Sequence, residues 1–462
     1  MTKSVNPELL HTPATRIISG VVDVVGGCSF FVGGAVRDHF LGRPAKDVDL
    51  MVSGVPVDKL VSMLEKVSKV DVVGRSFGVI KATIGGETID VALPRTEESV
   101  GSGHCDFRIV ADPYLPVELD AARRDLTMNA VFVNSTTGVV VDAFGGVGDI
   151  HRGVIKAVGV PGDRFSEDPL RQIRAVRFVS TLGFVMDKAT TVAITEHVHL
   201  IPTISAERVG EEMSRLLMGN HAVVAIRDMV KLGIMQYVIP EWTPSVGFEQ
   251  HNSHHQYTVD EHVLRALQHA VDRGAGLRCR WAVLLHDISK PNTYSCGEDG
   301  CGHFYEHEKV GAEMVPTILG RLKLPTEFVS DISMMVREHL CPSYDWGKTA
   351  LRRFVARIGG CLDDSLLLRE CDLVAHSADI SAGARVLIDG FREQILNMKE
   401  IQGFTQANLA LDGHRIAAEF GVTGAGIGLM KKFATSAVVD GLIPNEIEAI
   451  MMYLRHEYIK QK

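Results

Sequence analysis

The feature that most constrains this chain is a short stretch in which apolar runs enclose turn residues and acids. Phe30-Phe31-Val32 leads into Gly33-Gly34-Ala35-Val36-Arg37-Asp38, and Leu41-Gly42-Arg43-Pro44-Ala45-Lys46-Asp47-Val48-Asp49-Leu50 follows. Adjacent glycines let the backbone turn tightly and bring N–H groups against a phosphate, with a helix start just behind them. Arg37 adds a charged fork. A Gly-Gly pair alone is common in plain turns, but Asp47 and Asp49 add a second constraint. On a strand, residues i and i+2 project from one face, with about 6.6 Å between their Cα atoms. Such a convergent pair suits two Mg²⁺ ions ~3.5–4 Å apart, one activating an attacking hydroxyl and the other neutralising a leaving pyrophosphate. Asp90, in the strand-like run Thr88-Ile89-Asp90-Val91-Ala92, has no packing purpose there and is the candidate third, buried acid. An isolated Asp-x-Asp more often ends a strand facing water. The glycines, the arginine and the third acid together favour a metal-dependent phosphate site.

At 462 residues the chain exceeds one ordinary core, so two to four domains are expected. Residues 12–150, rich in Val, Gly and short apolar runs, read as α/β, and residues 151–240 change to helical spacing. Residues 245–385 form a His-rich helical section, and 386–462 a tail of helical stretches stopped by glycines. The start lacks the pattern of a secretory signal and no apolar run is long enough to span a bilayer, which predicts a cytoplasmic protein. Eight scattered cysteines favour reduced thiols, and Cys296 and Cys301 lack the partner cysteines of a zinc site. The net charge of −9 argues against indiscriminate polyanion binding but leaves room for a local basic strip.

Glu167-Asp168-Pro169-Leu170-Arg171-Gln172-Ile173-Arg174-Ala175-Val176-Arg177-Phe178 predicts a helix with Pro169 in its first turn and Ser166 as N-cap. Asp168 and Arg171, three apart, share a face at its start. An acceptor beside a planar donor fork can satisfy the Watson–Crick edge of a base, although in an anonymous helix an ordinary i, i+3 ion pair with a solvated arginine stripe is the commoner meaning of this spacing. Arg174 and Arg177, at further spacings of three, are placed toward a triphosphate. In the third section, His262, the pair His286-Asp287 and Asp372 form a set of imidazoles and carboxylates suited to a divalent transition metal. His303, His307 and His339 are candidate ligands for a second metal. The cluster His251, His254 and His255 precedes His262 without an assigned role.

The run from Gly33 to Leu50 resembles the signature of the polymerase-beta-type nucleotidyltransferases, in the class containing bacterial CCA-adding enzymes and bacterial poly(A) polymerases. The resemblance continues in order along nearly the whole chain. Arg123-Arg124-Asp125-Leu126-Thr127-Met128-Asn129-Ala130 is similar to the second motif of that family, which implies sugar recognition by Asp125 and Asn129 and phosphate contact by Arg124. Asp142 to Asp149 is similar to its hinge motif. The stretch from Glu167 is similar to its nucleotide-selecting motif, and Ser205-Ala206-Glu207-Arg208-Val209, with Glu211 and Arg215, to a neck motif expected to pack rather than to act. The His, His-Asp, Asp set resembles the HD phosphohydrolase superfamily.

This resemblance implies an α+β fold: a polymerase-beta-type head with a small mixed sheet, then an all-α neck, an HD body and an RNA-contacting tail. It also implies CCA addition to a tRNA 3′ end from CTP and ATP. Two alternatives stay open: an enzyme using ATP alone, as a poly(A) polymerase or A-adding enzyme, and an HD phosphohydrolase whose head only binds nucleotide. The first is separated from CCA addition by features expected within Arg95–Leu119, which sequence does not decode. Leu126 and Met128 replace residues common in the second motif and should alter packing alone. His414 and Arg415 stand where many relatives carry a lysine or aspartate, which leaves the RNA contacts of the tail open.

Overall fold

The computed structural model describes residues 4–45, 47–73, 79–99, 107–251, 256–298, 300–343, 346–376 and 378–461. His254 and His255 therefore lie outside the described residues, as do residues 100–106 of the undecoded stretch. The fold is α+β, as expected, and divides into two compact units, Met1–Val238 and Ile239–Lys462.

The first unit opens with α1 (Pro13–Val24), started by a capping box between Thr12 and Thr15 with Pro13 in the first turn. Then follow β1 (Cys28–Val32), α2 (Gly34–Phe40), β2 (Asp49–Ser53), α3 (Val57–Leu64), β3 (Lys69–Val73), β4 (Val79–Ile84) and β5 (Glu87–Ala92). A hairpin of β6 (Arg95–Ser99) and β7 (Phe107–Ala111) leads to α4 (Val117–Ala122), β8 (Phe132–Asn134) and β9 (Val140–Val141). Seven strands form one sheet in the order β3-β4-β5-β2-β1-β8-β9. It is mixed, because β2 and β5 run parallel while the other pairs are antiparallel.

Period-2 alternation sorts the side chains of this sheet. Phe31, Leu50, Val52, Ile89 and Val91 pack with Ile18, Val22, Leu60 and Leu64 of α1 and α3 in one core. Phe30, Val32 and Met51 point the other way, joining Ala121, Phe132 and Val158. Asp49 and Asp90 have the parity of this second set, so the face opposite the α1 layer carries the acids.

The helical remainder of the unit comprises α5 (Gly146–Arg152), α6 (Pro161–Glu167), α7 (Leu170–Leu182), α8 (Lys188–His197), α9 (Ala206–Leu217), α10 (Ala222–Lys231) and α11 (Met235–Val238). Burial of Ile173, Val176 and Val179 holds α7 against α9 and α10.

The second unit contains α12 (Val259–Asp272), α13 (Leu277–Leu285), α14 (Lys290–Thr293) and a small hairpin of Tyr294–Cys296 with Gly302–Phe304. It continues with α15 (His307–Arg321), α16 (Thr326–Arg337), α17 (Lys348–Ile358), α18 (Leu362–Val374) and α19 (Ala378–Ile395). Packing of α12 and α13 on each other and on α18 brings distant histidines together. Three further helices, α20 (Gly413–Phe420), α21 (Ala425–Asp440) and α22 (Ile447–Gln461), enclose a small core of Leu411, Ile416, Met430, Ala434, Ile450 and Leu454. Among the described residues, no helix is long and apolar enough to cross a membrane.

Candidate nucleotide and metal sites

Asp49 is the first residue of β2, opposite Val32 at the end of β1. The parallel register Leu50↔Val91 sets Asp90 beside it on the neighbouring strand. Asp47 lies in a bend before β2, so the strand expected to carry both Asp47 and Asp49 begins only at the second. Asp47 and Asp90 are nevertheless both close enough to act on Asp49. Asp49 is accessible along one side, yet protein packed around its carboxyl holds it above the usual carboxylate range. The charges of Asp90 and Asp47 push it the same way, against the pull of Arg124 and Lys81. Asp90 is not buried: its side chain is 42% exposed and pairs with Lys81 at 3.0 Å. Its apolar neighbours Ile89 and Val91 point to the opposite core, leaving Asp90 on the open face. Converging carboxylates that repel one another are relieved by divalent cations, so the donor set fits.

Beside these acids lies a pocket of about 430 Å³ lined by Gly33, Gly34, Asp125, Asn129, Asp168, Leu170, Phe178 and seven arginines: Arg37, Arg95, Arg123, Arg124, Arg171, Arg174 and Arg208. Gly33 starts α2 at φ +65°, a conformation L side chains rarely adopt, and a Cβ there would stand 3.8 Å from Arg124 Nη1. Asp125 Oδ1 accepts from Asn129 Nδ2 at 3.1 Å and Leu126 N at 2.8 Å, while Oδ2 accepts from Arg174 Nη2 at 2.8 Å. Burial opposes the charge on Asp125, but the Arg174 guanidinium and these hydrogen bonds hold its carboxyl below the usual range. Asn129 also ties in Arg37 Nη1, at 3.3 Å through its side chain, and Arg124 Nη1, at 3.0 Å through its carbonyl. Leu126 and Met128 are buried, in keeping with a packing role.

Asp168 ends α6 instead of opening α7, and the N-cap of α7 is Pro169. The expected cap, Ser166, lies inside α6, and Asp168 Oδ1 accepts the Leu170 N–H at 3.1 Å instead. Asp168 Oδ2 accepts from Arg208 at 2.7 Å. Arg171 donates to Glu167 and to the Arg123 carbonyl, each at 2.8 Å. Acid and guanidinium are thus anchored on separate partners at the pocket wall. Arg174 follows on this face, bridging Asp125 and Glu212. Arg177 is outside the pocket lining: it meets Glu212 at 2.6 Å and stacks on Phe178, 3.8 Å from the ring centroid. Each step of three residues falls about 60° short of a turn, so two steps from Arg171 leave the face, whereas seven residues return to it at Phe178.

Sequence reading had not singled out Glu212. It is buried on the side of α9 that carries Val209, Met213 and Leu216, and a charged residue on an apolar stripe was the available signal. Arg208, expected only to pack, lines the pocket.

The second unit holds a buried cluster. His262 Nε2 lies 3.1 Å from Asp372 Oδ1, 3.3 Å from His286 Nε2 and 3.3 Å from Asp287 Oδ2. His286 Nε2 is also 3.3 Å from Asp287 Oδ2. On the other oxygen, Asp287 Oδ1 lies 3.4 Å from His307 Nε2 and 3.8 Å from His339 Nε2. The Nδ1 atoms of these four rings face the carbonyls of Ala375, Val283, Phe304 and Val336, which selects the tautomer that leaves Nε2 a lone pair. Lone pairs then meet at 3.2 Å between His307 and His339. Neither Asp287 oxygen has a well-aligned hydrogen bond, although Lys290 Nζ is 2.7 Å from Oδ2. Orphaned acceptors converging in a buried space fit divalent metals, with Asp287 shared between two groups.

His303 stacks on Tyr305, and His251 lies near Tyr294; both are outside the candidate ligand groups found among the described residues. His376, not expected, joins His262 and Asp372.

Burial holds His262 and His339 below the usual histidine range, aided at His339 by the neighbouring rings of His307 and His286. Burial opposes protonation of His286 too, but Asp287 and Asp372 raise it overall. A lowered histidine contributes stability in full above its unfolded pKa of about 6.5, and that contribution is lost as pH falls through the folded value. The raised His286 works in the opposite sense. Melting of the metal-free protein should therefore become less acid-sensitive between pH 7 and pH 5 in His339→Gln, and an unchanged pH slope would count against the buried neutral ring.

Comparison with known proteins finds three family matches in order along the chain. Residues 29–156 match the family described as Poly A polymerase head domain, residues 183–245 the probable RNA and SrmB-binding site of polymerase A, and residues 259–358 the HD domain. The multifunctional CCA protein of Azoarcus sp. (strain BH72) is 34% identical over 319 residues, covering 67% of this chain and 73% of that protein. The chain belongs to the CCA protein family. Another member, the multifunctional CCA protein of Neisseria gonorrhoeae, is 32% identical over 316 residues, covering 68% of this chain and 73% of the relative.

The crystal structure of the Bacillus stearothermophilus CCA-adding enzyme in complex with CTP superposes with a TM-score of 0.71 at 26% identity, covering 98% of this chain and 99% of that one. The Thermotoga maritima CCA-adding enzyme complexed with tRNA shares the fold, with a TM-score of 0.57 at 19% identity, covering 99% of each chain. Nucleotidyltransferases of this type use divalent metals, and HD domains bind metals. Asp372 lies beyond the matched HD segment, and the fold returns it to the cluster.

Proposed function

We propose that this CCA protein adds C, C and A to the 3′ end of tRNA from CTP and ATP without a template, in the cytoplasm. The observation carrying this reading is the placement of Asp47, Asp49 and Asp90 beside an arginine-lined pocket whose wall bears Asp168 and Arg171. In the reaction a 3′-hydroxyl oxygen bonds to the α-phosphorus as the bond to pyrophosphate breaks. Mg²⁺ held by Asp47, Asp49 and Asp90 would supply the Lewis acidity for that exchange. The chain's own groups do the rest. Arg37, Arg124 and Arg174 face the triphosphate, Asp125 and Asn129 the sugar, and Gly33 and Gly34 let the backbone approach. Arg177, turned from the pocket, holds α7 through Glu212.

Cytosine and adenine both present an amino donor beside a ring-nitrogen acceptor. Asp168 would accept from the first, and Arg171 would donate to the second. Arg171→Ala should narrow the discrimination between correct and incorrect nucleotide by about 5- to 150-fold, the value of ~1–3 kcal/mol per good bidentate base contact. Selectivity unchanged in single-nucleotide incorporation would refute this role.

The reading as a whole is tested with tRNAs lacking CCA, lacking CA and lacking only A, each given CTP or ATP singly. The expected pattern is C, C, then A. Incorporation of A whatever the terminus would instead mean a poly(A) polymerase or A-adding enzyme. The convergence of four imidazoles on Asp287 supports a second activity, a metal-dependent phosphohydrolase at the HD centre.

A further inference from the structure

Directly beneath the arginines of the pocket sits a carboxylate that none of the motifs above uses. Asp120, in the last turn of α4, is fully buried. The helix ends within three residues of it, so the next two side chains, at i+3 and i+4, fold back over it. One oxygen serves each. Asp120 Oδ1 accepts from Arg123 Nε at 2.9 Å and Nη2 at 2.6 Å. Asp120 Oδ2 accepts from Arg124 Nε at 3.3 Å and Nη2 at 3.2 Å. The backbone N–H of Arg95, where the β6–β7 hairpin begins, adds a bond to Oδ1 at 3.3 Å.

We infer that Asp120 is a positioning residue for triphosphate binding, a buried counter-ion that aims Arg123 and Arg124 into the pocket and fixes the root of the hairpin beside them. Seven guanidiniums around one pocket repel one another, and each long side chain loses rotamer freedom when fixed. A buried carboxylate gripping the inner edges of two of them offsets both costs before nucleotide arrives. Arg124 is held on its other sides by the Asn129 carbonyl and the Phe132 ring, 4.6 Å from its centroid, so its direction is fully set. The effect falls on phosphate affinity and not on base choice, because Asp168 is anchored by Arg208, and Arg171 by Glu167 and by the main-chain carbonyl of Arg123, which does not depend on where the Arg123 guanidinium points.

This inference rests on the reading of the pocket as a nucleoside triphosphate site. Its test uses the full chain at fixed magnesium, with inorganic pyrophosphate as a calorimetric probe. Asp120→Asn should weaken pyrophosphate binding about tenfold or more and raise KM for CTP and ATP by matching factors, with kcat less affected and the CTP-to-ATP preference kept. In an Arg123→Ala, Arg124→Ala background it should add nothing further.

Pyrophosphate bound as tightly as by wild type, an altered base preference, or a loss additive with the arginine substitutions would each overturn the inference. If Asp120→Asn does not fold, Asp120→Glu, which keeps the charge but moves both arginines, is read by the same criteria. A wild-type chain that binds pyrophosphate yet adds no nucleotide would overturn the functional reading alone. One that binds no pyrophosphate overturns both.

Discussion

Asp49→Asn is expected to reduce nucleotide incorporation by about 10²–10³-fold or more, the scale on which loss of a charge-stabilising group at a reacting centre acts, without harming the fold. The second half of this expectation separates a metal-site acid from a structural one. Asp49 is held above the usual carboxylate range by burial and by the charges of Asp90 and Asp47. A raised carboxyl disfavours its charged form in the folded state. Its ionisation therefore subtracts from stability above the unfolded pKa of about 3.9, and the subtraction disappears as pH falls through the folded value. At neutral pH in EDTA, Asp49→Asn should melt at the same temperature as wild type or higher, because one repelling charge is gone. Added Mg²⁺ should raise the melting temperature of wild type by more than that of the variant. Incorporation within tenfold of wild type, or a variant destabilised in EDTA, would sink the assignment.

The sequence made the types and order of these acids visible, and period-2 alternation in β1, β2 and β5 accounts for why Asp49 and Asp90 share a face. It did not show that β2 starts after Asp47. It misjudged the environment of Asp90, since an apolar run reads as buried on both sides although only Ile89 and Val91 reach the core. On α7 a spacing of three looked like one face as far as Arg177, but the accumulated rotation hands Arg177 to Glu212. Partners far apart in the chain left the least trace. Arg208 meets Asp168 across forty residues, and Asp372 meets His262 across more than a hundred, because helix packing brings them together. Asp120 leaves little trace for a related reason: acids shortly before two arginines look like a solvated charge run until the burial of Ala121 on the sheet draws Asp120 inside.

Asp287→Asn should strip the second unit of bound metal more thoroughly than any single histidine change. The geometry is that of a fork: Oδ2 faces His262 and His286, whereas Oδ1 faces His307 and His339. A substitution at His307 or His339 removes a ligand from one group only, but Asp287 belongs to both. Its own carboxyl, penalised by burial, is nevertheless held well below the usual range by His286 and Lys290. Equilibrium dialysis against Mn²⁺ should find one ion fewer on His339→Gln than on wild type and two fewer on Asp287→Asn. Hydrolysis of a simple phosphodiester such as bis(p-nitrophenyl) phosphate, where wild type supports it, should disappear with the ions. Addition of C, C and A should persist in the same preparation, because every residue proposed for it lies in the first unit. An Asp287→Asn variant that holds as many ions as wild type would show that the carboxylate does not bridge, and loss of nucleotide addition in the folded variant would show that the two centres are not independent.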